Sequence, residues 1–161
     1  MSKFSPLLFL RNDWQNNVGG FTYFKSCYKQ AACYGYLKSR PIFAGAGWKC
    51  LQFWYYLGTF GFTFLEVALI SNQTRWTAWS STPYQKNVGV WSYARLPIDV
   101  GATSYQVVFE GWKSSRRAII AIDDIVFQTE SCQTIPWQGR QKTENWLRLN
   151  HRAINYRAIS Y

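Results

Sequence analysis

Two adjacent carboxylates, Asp123 and Asp124, stand in the middle of the apolar run AIIAIDDIVF, residues 118–127. Carboxylates can do acid–base work when a pair faces one cleft, or can hold a hard cation through several oxygens. The run reads as a strand, in which successive side chains point to opposite faces, so neighbouring carboxyls diverge and do not form an acid–base pair. Strict alternation puts Asp124 in a row with Ile120, Ile122 and Val126, and Asp123 with Ile119, Ala121, Ile125 and Phe127. Each acid thus sits in an apolar row, and a buried carboxylate without a partner is expensive. Three partners are available: Arg116 or Arg117 at the start of the strand, backbone N–H groups of a neighbouring turn, or a cation such as calcium.

Other residues suited to chemistry are sparse. Glu66 and Glu110 are the alternative glycosidase pair, but each alternates with apolar neighbours and reads as solvent-facing. The single histidine, His151, lies in the tail, so a Ser-His-Asp or Cys-His site would have to recruit a residue from outside the expected core. Gly-rich phosphate loops and His/Cys metal spacings are missing from the sequence. These patterns argue against an enzyme. Trp76, Trp79, Trp91 and Trp112 are candidates for a platform that stacks sugars or single-stranded nucleic acid, against the plainer reading that they pack the core and rim of a sandwich. Asn72-Gln73-Thr74 is a glycosylation acceptor, with meaning in a secreted chain.

The elements that must position these residues are strands. Of 161 residues, 19% are aromatic, and Val, Ile, Thr, Tyr, Phe and Trp fill the periodic segments. Strands are expected at 20–25, 34–38, 50–57, 62–70, 75–80, 90–95, 104–111 and 118–128, with Gly, Pro, Ser and Asp punctuation between them. Eight short strands without a convincing helix before residue 140 predict an all-β fold, an antiparallel β-sandwich of jelly-roll type. Residues 51–70 have the length of a membrane-spanning helix, but Gln52, Glu66 and the central Gly58-Thr59-Phe60-Gly61 read better as two strands joined by a turn. Residues 1–13 make a poor signal peptide, having no small-residue cleavage site.

The formal charge of +10 points toward nucleic acid or an anionic surface until its distribution is read. Residues 1–132 carry 13 Lys and Arg against 7 Asp and Glu, and residues 133–161 carry 5 against 1. The charge is densest in the tail, and Arg116-Arg117 is the only adjacent basic pair in the body. A diffuse charge of this kind reads as a solvated face, and no nucleic-acid partner is expected. The tail is read as a basic extension, disordered or loosely attached, with a short amphipathic helix from Thr143 as the alternative.

The series CLQFWYYLG from Cys50, FLEVAL, Trp91 with ARLPID, YQVVFEGW, AIIAIDDIVF and a closing Cys132 resembles the MAM domain of meprins, neuropilins and receptor tyrosine phosphatases. The segment from Asp13 to Tyr23 and GYLKSRP at 35–41 resemble further stretches of that family. The resemblance covers Asp13 to Cys132; residues 1–12 read as a leader in place of the family's first strands, and 133–161 as an extension. It implies a non-catalytic, extracellular jelly-roll module for cell adhesion or recognition, binding other extracellular proteins homophilically or heterophilically. Membrane association would come through a larger parent protein. A carbohydrate-binding sandwich that uses surface tryptophans is the alternative. The resemblance also implies a Cys50–Cys132 disulfide, and Cys27 and Cys33, flanking a short loop, are a second candidate pair. Finally it implies a weak structural cation site, calcium by chemistry, in which Asp13 joins one of Asp123 and Asp124, with Asp124 preferred and the other acid bonded to backbone.

Overall fold

Apolar residues recur at alternate positions as Leu51, Phe53, Tyr55 and Leu57 and as Tyr105, Val107 and Phe109, the pattern of strands with one face on a core. The computed structural model, which describes residues 9–11, 14–16, 21–24, 33–81, 88–101 and 103–135, folds them as two antiparallel sheets. In chain order the strands are β1 (Phe9–Arg11), β2 (Trp14–Asn16), β3 (Thr22–Phe24), β4 (Cys33–Ser39), β5 (Ile42–Phe43), β6 (Cys50–Leu57), β7 (Thr63–Ser71), β8 (Thr74–Ser80), β9 (Trp91–Pro97), β10 (Ser104–Lys113) and β11 (Ile120–Gln128). One sheet has the order β1-β4-β10-β7-β8, with β5 also paired to β10, and the other β2-β3-β11-β6-β9. This is the expected all-β sandwich.

Each of the eight expected strands is present, with ends displaced by one to two residues in most. Two-residue and three-residue strands, β1, β2 and β5, are additions. Phe9–Arg11 pairs with β4, so a stretch read from sequence as leader contributes to the six-stranded sheet.

The core forms where the inward rows meet. Leu51, Phe53, Tyr55 and Leu57 of β6 face Leu65, Val67, Leu69, Val107 and Phe109 of the other sheet. Phe53 bridges the layers, edge-on to Trp79 at 5.2 Å and to Phe109 at 5.1 Å, a geometry that sets ring edges against ring faces. The pairing of β7 with β8 slips by one residue between Val67 and Ala68. That slip lets Trp76 and Trp79, three residues apart, both pack toward the core.

A second slip answers the question raised by the paired aspartates. Asp123 lies opposite Trp54 and Val126 opposite Gln52, so Asp124 and Ile125 together span the place of Phe53. Asp124 sits at φ 46°, exposed, and Ile125 packs against the core. Strict alternation is therefore corrected here: Ala121, Asp123 and Val126 face outward, and no carboxylate of this strand enters the core. A left-handed Asp costs about 1–2 kcal/mol, whereas burying its carboxylate costs several, so the bulge is the cheaper solution.

Covalent and polar ties close the ends. Cys50, at the start of β6, is bonded to Cys132 with Cα atoms 5.6 Å apart, as the family resemblance implied. Cys33 is also disulfide-bonded. Its expected pairing with Cys27, like Asp13, His151 and the basic extension beyond residue 135, lies outside the described residues.

Candidate functional site

Two outward faces carry the residues singled out from sequence. On the six-stranded sheet, Glu66 of β7 and Glu110 of β10 are direct cross-strand partners, so both carboxylates stand on one face. Arg75 of β8 reaches over them. Its Nε and Nη2 donate to Glu110 at 3.1 and 2.8 Å, and Nη2 also donates to Glu66. The Thr77 hydroxyl donates to Glu66 at 2.6 Å. Glu66 is buried, not solvent-facing as its sequence context indicates, because Arg75 closes over it. Burial opposes the Arg75 charge, but the hydrogen bonds and charges of Glu110 and Glu66 outweigh it and hold the guanidinium above its ordinary pKa. A carboxyl pair locked on one guanidinium has no free acid or base for glycoside hydrolysis.

Tyr34 borders this knot. It is more than half exposed and lies opposite Trp112 across β4 and β10. Partial burial and the neighbouring Glu110 carboxylate push the phenol up to about 12. Trp112 stacks edge-on against Phe62 at 5.2 Å.

The other face belongs to the five-stranded sheet and is built from rings. β6 alternates Leu51, Phe53, Tyr55 and Leu57 inward with Gln52, Trp54 and Tyr56 outward, and β9 sends Trp91, Tyr93 and Arg95 the same way. The register sets Tyr56 against Trp91 and Trp54 against Tyr93, at centroid distances of 5.8 and 5.6 Å. Phe21 extends the row, 5.7 Å from Trp91 and 6.4 Å from Tyr23. Trp54 and Trp91 are exposed. Six outward aromatic rings on one sheet face, two exposed and four half-buried, leave apolar area in water, and such areas mark interaction surfaces.

Asp123 stands at the edge of this face, opposite Trp54, and accepts the Asp124 backbone N–H at 2.7 Å. Asp123 is therefore bonded to backbone. Neither pairs with Arg116 or Arg117, which are exposed at the turn before β11. Among the described residues no three Asp, Glu, His or Cys side chains converge, so these residues alone do not make a cation site. Asn72 is exposed at the β7–β8 hairpin, where Asn72 and Gln73 take φ of 48° and 65°, the conformation of a two-residue turn.

The four tryptophans of the sequence reading do not form one platform. Trp79 is fully buried and Trp76 packs beside it, while Trp91 and Trp112 stand on different sheets. The platform that exists is made of Trp54, Tyr56, Tyr93, Tyr23, Phe21 and Trp91. Its signal was the alternating WYY of β6 read against the WSY of β9, but only the register brings the two together.

A buried charge lies between these faces and one end of the sandwich. Lys113 Nζ donates to the carbonyls of Ala118 and Phe24 at 3.0 and 3.3 Å and lies 5.0 Å from the centre of the Phe24 ring. Burial lowers its pKa. It acts as a tie between β3, β10 and the turn that enters β11.

Comparison with known proteins agrees with this architecture. The family model "MAM domain, meprin/A5/mu" matches residues 7–133. Among solved structures, the chain is similar to TmCBM61 in complex with beta-1,4-galactotriose, with 12% identity and a TM-score of 0.50 over 68% of this chain and 70% of that one. It is also similar to the K2 cleaved adhesin domain of Lys-gingipain, with 17% identity and a TM-score of 0.50 over 76% of this chain and 82% of that one. At these identities the two structures share the sandwich fold and nothing finer.

Proposed function

The chain belongs to the MAM domain family, and we propose from that membership that it is a non-catalytic, extracellular adhesion-type module that binds another protein through the ring-covered face of its five-stranded sheet. The observation that carries the reading is the outward aromatic row Phe21, Tyr23, Tyr56, Trp91, Trp54 and Tyr93, in which Trp54 and Trp91 are exposed and the other rings are half-buried. Aromatic residues are enriched in the energetic centres of protein interfaces, where each large ring loses water on docking. The Cys50–Cys132 disulfide and an exposed acceptor Asn72 fit an oxidising, extracellular setting. Beads coated with the chain, and cells carrying candidate partners, should cluster or bind the chain. Trp54→Ala with Trp91→Ala should abolish this while leaving the fold intact.

A second reading is carried by Tyr34 and Trp112, neighbouring rings on the six-stranded sheet with the hydrogen-bonding Glu110 and Arg75 beside them. Sugars are bound by such a pairing of rings with polar groups. Glycan-array binding lost in Tyr34→Ala and Trp112→Ala would support it. Trp79→Ala is not informative there, because that ring fills the core.

A further inference from the structure

The described residues leave nine large apolar side chains exposed, and four of these, Phe60, Val88, Val90 and Ile119, gather on three connections at one end of the sandwich. Their exposures are 61, 46, 54 and 47%, so about half of each side chain stands in water. The same end carries Arg116 and Arg117, both exposed. The stretches 58–62, 88–90 and 114–119 contain no Asp or Glu.

Specific bonds bring the three stretches together. The peptide unit joining Leu57 to Gly58 serves two neighbours at once. Its carbonyl accepts the Gly89 N–H at 2.7 Å, and its N–H donates to the Ile119 carbonyl at 2.7 Å. Phe62 and Ser114 are joined twice, by the Ser114 N–H to the Phe62 carbonyl at 2.9 Å and by the Phe62 N–H to the Ser114 hydroxyl at 2.8 Å. A methyl group on Gly61 would meet Ser114 and Ser115 at 3.0 Å, and Gly61 has φ 74°, so its loop lies directly on the arginine-bearing turn. Lys113 fixes that turn from below through the Ala118 carbonyl. Apolar tips on connections held this closely do not need to be ordered when they dock, which removes one of the main costs of binding.

We propose that this end of the sandwich docks onto a lipid bilayer carrying anionic headgroups. Phe60, Ile119, Val88 and Val90 enter the boundary between headgroups and acyl chains, and Arg116 and Arg117 pair with headgroup phosphates. Both halves of the chemistry point to this occupant. The apolar tips gain from leaving water for the acyl boundary, and the acid-free basic pair gains from the negative surface potential. A sulfated glycan would use the arginines but has no place for four apolar side chains. The site borders the aromatic face where Val90 precedes Trp91 but uses other side chains, so variants of one set test it apart from the other.

Co-sedimentation of the full chain with phosphatidylcholine vesicles, with and without phosphatidylserine, tests the proposal. Binding is expected to the phosphatidylserine vesicles. Arg116→Gln with Arg117→Gln should weaken it on the order of thirty-fold, from the usual contribution of two basic residues at a charged surface. Phe60→Ser with Ile119→Ser, and independently Val90→Ser on another connection, should each weaken it by about ten-fold or more, as burial of apolar area requires. Phe43→Ser, an equally exposed ring at the opposite end, should change nothing. Near-ultraviolet circular dichroism confirms that each variant is folded. No sedimentation with phosphatidylserine vesicles overturns the proposal. So does binding that the loop variants leave unchanged, which would place it elsewhere, for example in residues 133–161. Binding that heparin abolishes and that is indifferent to Phe60→Ser with Ile119→Ser overturns it in favour of a sulfated glycan.

Discussion

Glu66 and Glu110 face each other across β7 and β10, and the guanidinium of Arg75 lies over both. Two like charges as direct cross-strand partners repel, and Glu66 is buried, so the arrangement depends on the third member. Arg75→Met should destabilise the fold by about 2–4 kcal/mol, the range for breaking a buried pair reduced because Arg75 is partly exposed. Adding Glu66→Gln and Glu110→Gln should recover most of that loss. Chemical denaturation of the single and triple variants measures both.

Gly35 lies against the Phe24 ring, which a methyl group at Gly35 would meet at 2.3 Å. The ring cannot yield easily, since it is buried and lies beneath Lys113. Gly35→Ala should cost about 1–3 kcal/mol, as overpacking does, without altering the exposed faces. A thermal melt showing no loss would mean the ring is free to move.

Much of this framework was legible in the sequence and some was not, for local reasons. Residues 50–57 alternate cleanly and read as a strand to its true ends, because one face is buried and the other is not. β7 is buried on both faces, so its Glu66 reads as a surface residue although Arg75, from the next strand, covers it. Strict alternation misplaces the aspartate pair, because a bulge breaks alternation without a composition signal strong enough to place it. β1, β2 and β5 are too short to show a period at all. The aromatic face depended on the register between strands separated by some thirty residues, which local patterns do not encode.

Tyr105 is buried, and its hydroxyl has no hydrogen-bond partner among the described residues. Burial pushes its phenol from 10.0 up to about 12. Below pH 10 both folded and unfolded chains hold the proton. Between pH 10 and 12 the unfolded chain releases it first, so stability falls as pH rises, by about 2–3 kcal/mol in total. Lys113 slopes the other way: its lowered pKa means that the cost of burying its charge is relieved as pH rises toward 10.5. Tyr105→Phe should flatten the loss above pH 10 and be neutral or stabilising by about 1 kcal/mol at neutral pH. Denaturant midpoints across that range test it.

The Cys50–Cys132 bond closes a separation of 82 residues, from the start of β6 to the segment after β11. A loop of that length constrains the unfolded chain by about 4–5 kcal/mol in the chain-entropy account. Cys50→Ser with Cys132→Ser should lower stability by an amount of that order, against a typical domain stability of about 5–15 kcal/mol. Unchanged midpoints in the double variant would remove the disulfide from the account of this fold.

The central claim, recognition through the ring-covered face, is tested most directly by comparing dissociation constants for two pairs of variants against a binding protein partner, including an immobilised second copy of the chain. Trp54→Ala with Trp91→Ala should raise the constant by about a hundred-fold or more, as loss of two central rings does, and Tyr34→Ala with Trp112→Ala should change it less than about two-fold. The opposite ranking, with binding displaced by a free oligosaccharide, would contradict the account and move recognition to the six-stranded sheet.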